Sequence, residues 1–140
     1  MTQRNGDFHT SNQSAAYFTY NKEYARNCAG PGGTIIRQDV PREMLRQGYK
    51  FDDVPDDDWY HFVENNRKNE KAVGRMLRVQ KKEIIEGPIA DVHNKTLQRP
   101  PPIPKEKFKP ARRGDEYVQQ VVFKGQALND LTRLSARPTF

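Results

Sequence analysis

The run Arg99-Pro100-Pro101-Pro102-Ile103-Pro104-Lys105 limits what this chain can fold into more than any other stretch. Proline has no amide proton for a hydrogen-bond ladder and holds its own φ fixed, so the run enters neither a helix interior nor a central strand. It reads as a stiff extended strip between two stretches with helical patterning. The fold class expected from this is mostly α with extensive irregular and extended segments, a non-globular chain of helices joined by Pro-rich and Gly-rich linkers.

Hydrophobic residues make up 34% of the 140 positions, below the roughly 45–50% of ordinary globular domains, so no large private core is expected. Aromatic residues, at 10%, are still too many for a solvated tail. They need a surface to bury against, and a partner is expected to supply part of it. Lys and Arg outnumber Asp and Glu by 24 to 18, a net charge of +6. Such a balance favours nucleic acid, an acidic protein surface of the tubulin type or an anionic membrane. The charges are segregated along the chain. Seven acids face three bases over Asp39–Asp58, and seven bases face one acid over Arg67–Lys82. The acidic block repels phosphate, which tips the expectation from nucleic acid toward protein.

A single cysteine, Cys28, excludes an internal disulfide and fits a reducing compartment. The first residues show neither an apolar signal core nor an Arg-rich presequence pattern, and no apolar run reaches the length of a membrane span. The expected location is cytoplasmic, on the cytoskeleton or cilium.

Residues 1–38 read as an irregular arm anchored by Phe8, Tyr17, Phe18, Tyr20 and Tyr24, with a short helical pattern over 15–25 and a glycine bend at Gly30–Gly33. Residues 39–87 read as helical. A short helix over 41–47 is opened by Pro41 and stopped by Gly48. A main helix over 56–86 follows, with Asp56, Asp57 and Asp58 at its positive end, apolar residues from Trp59 to Ile85 at helical spacings, and Gly87-Pro88 as its stop. Polar residues 64–71 interrupt the apolar stripe, so one long helix competes with two that meet near Asn69; the single helix is preferred because Asp56–Ala72 contains no Gly or Pro. Residues 88–114 read as a Pro-rich basic linker, 115–136 as a C-terminal helical segment in which 117–123 is equally compatible with a strand, and 137–140 as a tail.

The carboxylates of Asp52–Asp58 lack the alternation and the glycine of a calcium loop. The three histidines and one cysteine have no metal-ligand spacing, and no nucleophile motif occurs, so no catalytic, cofactor or metal residue is assigned and a non-catalytic chain is expected. The assigned partner-binding residues are Trp59 and Phe62 as apolar anchors, Arg75, Arg78, Lys81 and Lys82 as a grip on an acidic groove, and Pro101, Pro104 and Phe108 on the extended strip. The expected function is that of a non-catalytic structural component of a large intracellular protein assembly, specifically a microtubule-associated protein of the ciliary doublet. The alternatives are a ribosome or ribonucleoprotein component that binds RNA, and an accessory subunit of a respiratory or other multi-subunit complex.

Overall fold

Short strands and helices alternate along the chain in the computed structural model, which describes residues 6–10, 14–91 and 109–136. The order is β1 (Ala15–Thr19), α1 (Lys22–Ala29), α2 (Arg42–Arg46), β2 (Tyr49–Lys50), α3 (Asp57–Arg67), α4 (Arg75–Lys81), β3 (Ile84–Pro88), β4 (Ala90–Asp91), β5 (Lys109–Pro110), β6 (Arg112–Arg113), β7 (Glu116–Tyr117), β8 (Gln119–Lys124) and α5 (Gly125–Ala136).

Four of the strands form one mixed sheet in the order β1-β8-β3-β2. Strand β8 lies inside it, antiparallel to β1 and to β3, with Val122 opposite both Tyr17 and Ile85. Edge strand β2 runs parallel to β3. Residues 120–124 of β8 are all buried, as expected of an interior strand covered on both faces. Its alternation divides the interior in two. Val122 points with Ile85 into a core built from Phe8, Phe51, Trp59, Phe62, Val63 and Val79, beneath α3 and α4. Val121 and Phe123 point the other way, with Ile84, onto Ala127 and Leu131 of α5 and beside Met44 and Leu45 of α2. A smaller cluster of Ile89, Ala111 and Val118 ties the β4–β5 ladder and the β6–β7 hairpin to one end of the sheet.

The expectation of a mostly α, extended chain is therefore corrected: helix and strand are mixed around a four-stranded sheet with helices on both faces. The low apolar fraction misled because so much of the buried volume sits in a few large rings. Phe8, Phe51 and Phe62 stand with ring centroids 5.5–5.9 Å apart, and rings of this size bury far more area per residue than aliphatic side chains.

The single main helix over 56–86 is corrected as well. Helix α3 is capped by the Asp56 carboxylate, which accepts from the Trp59 amide at 2.9 Å, and it ends at Arg67. Asn69 and Gly74 both adopt φ of +58°, a left-handed conformation that a helix interior excludes and that Asn and Gly tolerate best. After α4 the chain leaves helical geometry at Lys82, and Ile84 and Ile85 face opposite sides of the sheet as neighbours on a strand. The same period-2 logic separates Tyr17 from Phe18 in the first arm, which is strand and helix rather than irregular. In the C-terminal segment, helix begins only at Gly125. Among the described residues no helix is long and apolar enough to cross a membrane.

Candidate functional site

Two places concentrate polar chemistry. The first is internal. Asp7, almost fully buried, lies against β8 and α3. Its Oδ1 accepts from the Arg67 guanidinium, Nε at 2.8 Å, and its Oδ2 accepts from the Ala90 amide at 2.9 Å and Gln120 Nε2 at 2.7 Å. Its backbone carbonyl accepts from Asn66 Nδ2 at 3.0 Å. Both carboxylate oxygens are thus saturated, with no lone pair left for a reacting group. On either side the segment is held just as closely: Tyr17 Oη accepts from the Phe8 amide at 2.6 Å and pairs with His9 Nδ1 at 2.9 Å. Lys124, buried on β8, donates to the carbonyls of Gln80 at 2.7 Å and Phe8 at 3.3 Å. Burial lowers its pKa from 10.5 to about 8, against the opposing pull of the Glu83 carboxylate. Burial pushes the Tyr17 hydroxyl well above the usual tyrosine range, and the nearby Asp7 charge adds to it. The side chains of Asp7, His9, Gln120 and Lys124 bind one another, Tyr17, Arg67 and the backbone, and they fasten the first described segment into the core.

The second place is open. Helix α1, the extended segment 33–40 and the face of the sheet beyond α5 enclose a groove of about 690 Å3, within the ~300–1,000 Å3 span of ordinary binding pockets. Its floor is apolar: buried Val121 with half-buried Phe18, Val40 and Leu45. Ile35 and Ile36 line it from the crossing segment, and Ile36 is 77% exposed. Cations stand at its rim. Lys22 and Arg26 are exposed and four apart, so they share one face of α1. Arg37 lies across from them, with Asp39 3.4 Å away in a fully solvated pair. Tyr20, 63% exposed, also borders the groove and donates to Glu86 Oε2 at 3.0 Å; burial of its ring and the Glu86 charge raise its pKa to about 12.

The residues assigned from the sequence fall elsewhere. Trp59 and Phe62 are fully buried, and Trp59 Nε1 donates to the Pro88 carbonyl at 2.9 Å, so they hold the core and present nothing to a partner. Arg75 is paired with Asp58. Arg78, Lys81 and Lys82 are exposed on and just after α4 and are not part of the groove. Pro101, Pro104 and Phe108 lie outside the described residues. The groove residues went unassigned, although a signal was present: Ile35-Ile36, an apolar pair in a Gly-rich stretch and followed directly by Arg37. Among the described residues no three His, Cys, Asp or Glu side chains gather where they could hold a metal.

The chain matches no protein-family model, no curated protein and no solved structure.

Proposed function

We propose that this protein is a non-catalytic docking module of an intracellular assembly, and that it holds an acidic protein surface in the groove between α1 and segment 33–40. The observation that carries this reading is the pairing of an apolar floor with exposed Lys22, Arg26 and Arg37 at the rim. An acidic segment with aliphatic anchors satisfies both halves, burying its side chains on Val121 and Phe18 while its carboxylates meet the rim. The overall charge of +6 steers the same class of partner. The saturation of Asp7, and of the groups around it, further supports a role without chemistry. RNA fits the groove less well, since Tyr20 is the one exposed aromatic ring among the groove residues described, and its hydroxyl is tied to the Glu86 carboxylate, whose charge repels phosphate. A tubulin-like surface is one acidic surface of the required kind.

The test is a fluorescence titration with a labelled peptide of glutamates interspersed with leucines, run against an oligouridine of equal charge at matched salt, with microtubule co-sedimentation as the assembly readout. The peptide is expected to bind, and Lys22→Glu with Arg26→Glu to weaken it about tenfold. Preferential binding of the RNA, or peptide binding that ignores the double reversal, overturns the reading.

A further inference from the structure

We infer that the chain also pairs with a second copy of itself, each copy placing its own acidic loop, residues 52–56, in the groove of the other. This rests on the reading that the groove accepts acidic protein segments. The loop has the complementary chemistry. Val54 is 61% exposed and is flanked in sequence by exposed Asp52, Asp53 and Asp56, so it offers one aliphatic anchor beside three carboxylates, of which Asp53 also pairs with exposed Lys50 at 3.7 Å. It is also a fixed shape. Phe51 on one side and Trp59 on the other are core residues, Gln119 Nε2 donates to the Asp53 carbonyl at 3.0 Å, and the Asp56 side chain caps α3. A loop already held in place loses little freedom on docking.

Placement argues for mutual exchange. Gln119 holds the loop through its side chain, and its backbone carbonyl accepts from Thr19 Oγ1 at 2.9 Å, while Thr19 itself lines the groove. Loop and groove therefore adjoin the same end of the sheet, yet no residue of the loop lines its own copy's groove. Two patches that are neighbours on one surface and complementary to each other meet reciprocally across a two-fold axis, which doubles the contact and closes it. The chain's own Pro-rich segment 92–108 is a poor occupant by comparison, because it carries Lys95, Arg99, Lys105 and Lys107 against the single acid Glu106 and so has the sign of the rim. A dimer made this way fills the groove, so it and an external acidic partner exclude each other.

Analytical ultracentrifugation of the full chain over a concentration series tests this. The wild type is expected to show a salt-sensitive monomer–dimer equilibrium. Lys22→Glu with Arg26→Glu, and separately Asp52→Lys with Asp53→Lys, are each expected to raise the dimer dissociation constant about tenfold or more. A one-to-one mixture of the two variants is expected to regain a heterodimer, because both of its contacts again join opposite charges. All four side chains are exposed, and circular dichroism of each variant confirms its fold. Independently of any variant, a synthetic peptide spanning residues 51–58 is expected to dissociate the wild-type dimer. A wild type that stays monomeric throughout, variants that dimerise like the wild type, a mixture that stays monomeric, or species that grow past the dimer each overturn the two-fold exchange. Should the glutamate–leucine peptide still bind the groove of a strictly monomeric wild type, self-pairing fails and the docking role stands; should it fail to bind, the docking role falls as well.

Discussion

Gln120 Nε2 donates to Asp7 Oδ2 at 2.7 Å and so joins the interior strand of the sheet to a segment 113 residues earlier in the chain. The bond is one of several that converge on Asp7, and together they make its carboxylate a keystone between β8, α3 and the start of β4. Its charge is matched by Arg67, whose side chain is itself largely withdrawn from water.

Replacing Asp7 by Asn keeps the shape and removes the charge. Arg67 then loses the Asp7 charge in a mostly buried site, and breaking such a buried pair costs about 3–5 kcal/mol when the site is dry. The residual exposure of Arg67 favours the lower end of that range. Urea unfolding is expected to show a much lower midpoint for Asp7→Asn than for Asp39→Asn, whose carboxylate is solvated. Equal midpoints would show that the clamp contributes nothing.

Lys124 makes stability depend on alkaline pH. Its folded pKa, about 8, lies below the usual 10.5, so between those values the unfolded chain binds the extra proton and stability rises with pH. The complete shift corresponds to about 3 kcal/mol. Tyr17 and Tyr20 act in the opposite sense, since both are raised above the ordinary 10.0. Above pH 10 the unfolded tyrosines lose protons that the folded ones keep, and stability falls. The wild type is thus expected to gain stability from pH 8 upward and to lose it beyond pH 10. Lys124→Met should flatten the rising limb, with some loss at neutral pH because the Gln80 and Phe8 carbonyls lose their donor. A rising limb unchanged in this variant would assign it to another group.

What could be read from the sequence was local. The short helix before Gly48, the acidic cap before Trp59 and the ambiguity of the valine-rich run are all short-range patterns, and residues 42–46, 56–59 and 119–124 show what such patterns report. Gly48 does not supply the left-handed cap expected of it: the helix is capped by Gln47 in right-handed geometry, and the glycine instead leaves room for the backbone of Ile84. The sheet was hidden because its pairings are distant: Tyr17 with Val122, Ile85 with Val122. Residues 82–86 carry both a helical spacing continued from Met76 and a strand alternation, and the partner strand that decides between them lies more than thirty residues away. Asn69, an ordinary polar residue in sequence, breaks the helix only through its left-handed backbone. Of the groove only the Ile35-Ile36-Arg37 wall was visible in the sequence, since Lys22, Ile36 and Val121 come from three separate stretches.

The relocation of Trp59 from partner anchor to core has its own test. Trp59→Phe removes the indole donor from the Pro88 carbonyl, which keeps the longer bond from Gln120 Nε2 at 3.2 Å, and opens a small void, for an expected loss of about 1–3 kcal/mol. Trp59→Ala is expected to cost about 3–5 kcal/mol. Binding of the acidic peptide by the folded fraction of Trp59→Phe should match the wild type. A stable Trp59→Ala protein with impaired binding would return Trp59 to the partner surface.

Gly6 packs where a side chain has no room. A Cβ at this position meets the His9 ring and Tyr17 Oη, and the Gly6 amide donates to the His9 carbonyl at 3.1 Å in the same turn. Gly6→Ala must therefore displace the His9–Tyr17 pair, for an expected loss of about 1–3 kcal/mol by overpacking. The Phe8 amide, bonded to Tyr17 Oη, is expected to exchange slowly in the wild type, and faster exchange there in the variant would locate the damage. Wild-type exchange and wild-type stability in this variant would mean that the turn is not part of the clamp.

Two pairs of cations separate a docking groove from a general positive field. Lys22 and Arg26 border the groove, whereas Arg78 and Lys81 lie on α4 away from it. Reversing either pair to glutamate changes the net charge by the same amount, so an effect of net charge alone is common to both, whereas screening makes the groove pair act more strongly on association as well. Only the groove pair stands where the bound carboxylates would sit. Stopped-flow titration with the acidic peptide is expected to show faster dissociation and a shallower salt dependence for Lys22→Glu with Arg26→Glu, because short-range contacts have been lost. Dissociation from Arg78→Glu with Lys81→Glu should match the wild type. If both pairs act through dissociation alike, the peptide is held by α4 as well, as the basic run of the sequence suggested; if neither does, the groove is not its site.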